Sequence, residues 1–123
     1  MTTRKHPAAS GGKWVTNVKR LALYMRDDCA CVYCGSQHRL TLDHLRPHSK
    51  GGTNEARNLI TCCLACNTRR GNKPWWEFAE AFDGARERVE RQRRRSIHRL
   101  RKVARQALEL ANNSVPQALD RAA

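Results

Sequence analysis

Cys31-Val32-Tyr33-Cys34-Gly35, Leu42-Asp43-His44-Leu45-Arg46-Pro47-His48-Ser49-Lys50-Gly51-Gly52, Asn58-Leu59 and Cys63-Leu64-Ala65-Cys66-Asn67 are the stretches that decide the fold. Each C-x-x-C turn presents two sulfurs to one ion without strain. Zinc takes four such ligands at tetrahedral corners, about 2.3 Å from the metal. A closed four-sulfur shell leaves no position for water or substrate, so the expected role of Cys31, Cys34, Cys63 and Cys66 is structural. Cys29 and Cys62 lie off that spacing and are expected as small buried hydrophobes. Cys62 in place of Cys63 is the alternative ligand set.

Between the two turns lie the groups suited to hydrolysis. Cleaving a phosphodiester needs an activated water, charge stabilisation at phosphorus and help for the leaving oxygen. A hard divalent ion supplies the last two. Asp43 offers a carboxylate and Asn67 an amide oxygen, ligands that suit Mg²⁺. His44 can accept a proton near neutral pH. Leu40-Thr41-Leu42 and Asn58-Leu59-Ile60-Thr61 read as short strands, and a helix is expected from about Asn67. Successive strand residues face opposite sides, so Asp43 and His44 serve one site only if the strand ends and bends there. Pro47 and Gly51-Gly52 make the following segment a loop.

These elements, C-x-x-C-G, D-H-x-x-P-x-S-x-G-G, N-L and C-x-x-C-N, together resemble the HNH endonuclease family in its variant with a final Asn. The resemblance covers about residues 20–73, with Arg26-Asp27 upstream as in that family. It implies an α+β fold, a small ββα-metal domain with structural Zn²⁺ and flanking helices. It also implies a DNA endonuclease that nicks or cuts both strands. By the same resemblance, His44 is the general base, Asp43 and Asn67 hold a catalytic Mg²⁺ or Mn²⁺, and Asn58 braces the loop that carries His44. Arg70 stands where the family often has Lys, keeping a positive charge for phosphate. The small size is similar to phage-encoded members, some of which assist genome packaging.

The surrounding composition agrees. Over 123 residues, 24 Lys and Arg face 11 acids, a formal charge of +13, which favours a polyanion such as DNA. Free thiolates for metal imply a reducing compartment, the cytoplasm of a bacterium or phage-infected host. The stretch MTTRKHPAASGGKW has no apolar core and is not read as a secretory signal, and no run suits a membrane span. Residues 1–12 are expected as a disordered basic arm, 13–76 as the nuclease domain and 77–115 as an arginine-rich helical extension. Residues 116–123 are expected as a frayed tail, because Pro116 should end any helix near Ser114. Thr16 or Asn17 should cap a first helix through Met25. The apolar stripe from Ile97 to Ala111 must bury, against the domain, a second copy or a packaging partner. The rival from another class is a zinc-dependent nucleic-acid-binding module without catalysis, and an RNA-directed nuclease is a third option.

Overall fold

The computed structural model describes residues 14–122, with side chains to Asn113; the expected arm over residues 1–12 lies outside this range. Thr16 caps α1 (Asn17–Arg26), its hydroxyl accepting the Lys19 N–H. The strands β1 (Leu40–His44) and β2 (Leu59–Cys63) pair antiparallel, with Thr41 opposite Cys62, Asp43 opposite Ile60 and His44 opposite Leu59. Single 3₁₀ turns at His48–Lys50 and Ala56–Asn58 punctuate the connection. Its glycines are required there. Gly51 has φ +86, and a Cβ on Gly52 would fall 1.8 Å from the Arg46 carbonyl oxygen.

Four helices follow the hairpin: α2 (Leu64–Arg70), α3 (Trp75–Ala79), α4 (Ala85–Arg93) and α5 (His98–Ala122). The second C-x-x-C turn opens α2 as expected, but the helix starts at Leu64 rather than about Asn67. Cys63 is the N-cap and its sulfur accepts the Cys66 N–H, so the knuckle itself supplies the cap. The helical pattern from Trp75 is broken into three helices. Gly84, at φ +68, separates α3 from α4. The helix α5 continues through Pro116 to Ala122 rather than stopping near Ser114. Proline deletes one N–H bond and disfavours the helix without forbidding it.

Alternation along the strands gives the hairpin two apolar faces, and helices cover both. On one, Leu45, Ile60 and Cys62 pack with the C-x-x-C turns, Trp75, Phe78 and, from α4, Ala85 and Val89. On the other, Leu42 and Leu59 pack with Leu23 of α1 and with Ile97 and Ala104 of the C-terminal segment. The expected α+β architecture is therefore present. Arg26, wholly buried, grips Asp27 through two hydrogen bonds and donates to the Ala56 and Leu59 carbonyls. Asp27 in turn accepts from Thr61 N–H. This Arg-Asp pair bolts α1 to β2. Among the described residues no helix is long and apolar enough to cross a membrane.

Candidate active site and metal centre

The sulfurs of Cys31, Cys34, Cys63 and Cys66 lie within 4.8 Å of one another. Cys34 and Cys63 are 3.7 Å apart, matching the roughly 3.8 Å edge of a tetrahedron whose corners sit about 2.3 Å from a zinc ion. Backbone N–H groups of Cys34 and Cys66 point at the sulfurs of Cys31 and Cys63, at 3.5 and 3.4 Å. The Cys31 thiol is drawn down to about 4, chiefly by a hydrogen bond with the Cys62 side chain. Cys66 is pushed up, first by burial and then by the charge of Cys31. Thiolates this close repel, and a soft divalent cation would cancel that repulsion. The donor set fits such an ion. Cys62 lies outside the cluster and is buried as expected. Cys29 is a correction: it is exposed, because Asp28 and Cys29 both adopt left-handed backbone that turns it outward.

Asp43 and Thr41 share one face of β1, and Asn67 of α2 reaches that face at Thr41. Asn67 Nδ2 donates to Thr41 Oγ1 at 2.9 Å, and Thr41 is the same-face neighbour of Asp43 on β1. A carboxylate and an amide oxygen are hard donors that suit a divalent ion. The Asp43 carboxylate also receives Arg70 Nη1 at 2.6 Å, with both side chains fully buried. An ion on Asp43 therefore shares the carboxylate with Arg70 or displaces it. The surface phosphate contact expected of Arg70 is thus overturned. Its remaining donors go to the carbonyls of His44, Leu45 and Lys73, and it is 2% exposed. Tyr33 Oη is buried beside this group without a hydrogen-bond partner. Burial, then the Asp43 charge, pushes its pKa far above the usual tyrosine value.

Removing one member of a buried ion pair strands the other charge. Arg70→Met should therefore destabilise the fold by about 3–5 kcal/mol. The measurement is urea unfolding without added Mg²⁺, and a loss below about 1 kcal/mol would contradict the pairing.

His44 ends β1 on the opposite face. The strand stays in register through it, so the bend that would bring Asp43 and His44 together does not precede His44. Its ring packs on Trp14 at 4.6 Å between centroids. Its Nε2 meets Asn54 Oδ1 at 2.7 Å, while Asn54 Nδ2 donates to the Trp14 carbonyl. With Asn54 so oriented, Nε2 is the donor, and neutral His44 carries its lone pair on Nδ1. Asn58 accepts the Arg46 N–H and donates to the Arg46 and Thr53 carbonyls. Sequence reasoning missed Trp14 and Asn54. The only signal was Asn54 closing the Gly51-Gly52 loop, and a contact across 40 residues leaves no local pattern.

The site's sequence matches a family model described as HNH endonuclease over residues 31–73. The chain is also similar to the CRISPR-associated endonuclease Cas9 of Corynebacterium diphtheriae, 37% identical over 76 residues. That match covers 55% of this chain and 7% of the relative. The Cas9 of Actinomyces naeslundii is 35% identical over 68 residues, covering 52% and 6%. The chain thus spans less than a tenth of the length of these curated relatives. No solved structure matches.

Proposed function

We propose, from the match of residues 31–73 to the HNH endonuclease family model, that this chain is a divalent-ion-dependent endonuclease hydrolysing phosphodiester bonds of DNA. The observation that carries the reading is His44, held by Asn54 and Trp14 at the end of β1 with Nδ1 as its basic nitrogen. His44 takes the proton of the attacking water at Nδ1 as the oxygen bonds to phosphorus and the ester P–O bond breaks. Asp43 and Asn67 would hold Mg²⁺ or Mn²⁺, which would supply charge stabilisation at phosphorus and at the leaving oxygen. Asp43 and His44 are the last two residues of β1, and Arg70 fastens the carbonyls of His44 and Leu45 there. The three hydrogen bonds of Asn58 to loop backbone support its role as a brace. The four cysteines would hold Zn²⁺, which would tie the first knuckle to β2 and α2 and so fix Asn67.

Exposed Arg99, Arg101, Lys102 and Arg105 on α5 offer further contacts to DNA phosphates. Exposed Val103 and Leu110 on the same helix are where a second copy or a packaging partner would bind. The reducing cytoplasm of a bacterium or phage-infected host suits free thiolates.

Separating the two ions tests the reading. Zinc-loaded protein should cut duplex DNA when Mg²⁺ or Mn²⁺ is added and leave it whole when neither is present. Cutting with zinc alone, or cutting RNA while sparing DNA, would contradict it. Binding without cutting under any ion would favour the non-catalytic module.

A further inference from the structure

Beside the His44 segment, on the side of Leu45, Asn58 and Arg70, an open cleft of about 420 Å³ runs between the loop after β1 and the start of α3. Arg46, Lys50, Lys73 and Arg93 line it, and no acid does. Pro47 and Pro74 give it stiff apolar walls. At its edge stands Trp76, 48% exposed. The Trp76 indole is anchored edge-to-face on Trp75 at 6.1 Å and 84°, and Trp75 is itself buried in the core. Arg46 is fixed by its bond to the Lys50 carbonyl, and Arg93 by its bond to the Arg57 carbonyl. A large aromatic side chain left half in water beside fixed cations suits a ligand with a flat π face and negative charge.

We propose that this cleft holds one unpaired nucleotide of the DNA strand, its base stacked on Trp76 and its phosphates on Lys73, Arg46 and Arg93. A paired base keeps its faces inside the duplex stack, where an indole at the rim of a cleft cannot reach it. The preferred substrate is therefore DNA with unpaired nucleotides next to the scissile bond, such as a gap, flap or melted segment. This rests on the endonuclease reading above but adds a substrate preference to it.

The test reads binding, so its failure is distinct from a failure to cleave. An oligothymidylate of 12 nucleotides and a duplex of equal length are titrated into zinc-loaded protein without Mg²⁺. Base–aromatic stacking contributes about 1–3 kcal/mol per base. Trp76→Ala should thus weaken single-strand binding by about 5- to 150-fold and duplex binding by less than about twofold. Trp76→Phe should keep most of the single-strand affinity but lose the fluorescence quench that the oligonucleotide produces in the wild type. Unfolding curves matching the wild type establish that both variants fold, as expected for so exposed a side chain. Equal single-strand affinity for wild type and Trp76→Ala overturns the proposal. So does an equal loss on single strand and duplex, which would make Trp76 a general contact. Tighter binding of the equivalent RNA overturns the assignment to DNA. Cleavage of duplex DNA by the same preparations reports separately on the endonuclease reading.

Discussion

Cys66→Ser should yield a chain that neither holds zinc nor folds. Cys66 is 1% exposed in the first turn of α2, the helix that also presents Asn67 and Arg70. Losing one of four thiolates removes much of a binding free energy that, for structural zinc sites, is about 10–16 kcal/mol in apparent terms. That matches or exceeds the 5–15 kcal/mol by which domains are typically stable. The hairpin has two strands, and a lone two-stranded sheet is marginal in water without such a clasp. The expected result is loss of the cooperative transition in circular dichroism, with no zinc recovered in the soluble fraction. A folded, metal-free Cys66→Ser protein would contradict a structural role. Cys29→Ser is the contrast. Cys29 is exposed and outside the cluster, so its replacement should shift stability by less than about 0.5 kcal/mol.

What the sequence made legible were features governed by local spacing. Two C-x-x-C turns, a Thr16 cap and short β-favouring runs at Leu40–Leu42 and Asn58–Thr61 each follow from a short-range rule. The cluster, α1 and the hairpin formed where those rules put them. At Asn58 a motif position coincides with hydrogen bonds to the loop backbone at Arg46 and Thr53. Long-range partnerships were not legible. Nothing in the order of residues says that Arg70 turns inward to Asp43 instead of outward to phosphate. A positive charge in the last turn of a basic helix reads the same either way until burial is known. Trp14, before α1, meets His44 only because that segment packs on the hairpin. Cys29 faces solvent because two successive left-handed residues rotate it there, a conformation the side chains do not announce. The α3–α4 break rests on one left-handed Gly84 within an otherwise helical pattern.

His44→Ala should lower the rate of DNA cleavage by about 10²–10⁴, the usual loss when a general base is removed. The reason is positional. His44 sits at the last residue of β1, 6% exposed, with its imidazole oriented by Asn54 and backed by Trp14. Alanine deletes the proton acceptor but leaves the backbone pairing of His44 with Leu59. The exposed arginines of α5 and the cations of the Trp76 cleft are untouched, so DNA affinity should change by less than about threefold. That separation of rate from binding distinguishes loss of chemistry from loss of substrate or fold.

If this domain cuts DNA with His44 as its base, the difference shows when supercoiled plasmid is followed with wild-type and His44→Ala protein side by side, both zinc-loaded, in Mg²⁺. The wild type should convert plasmid to nicked or linear forms. His44→Ala should do so at least about 100-fold more slowly at equal occupancy of the DNA. Equal rates for the two proteins, or intact plasmid with folded wild type at every Mg²⁺ or Mn²⁺ concentration, would contradict it.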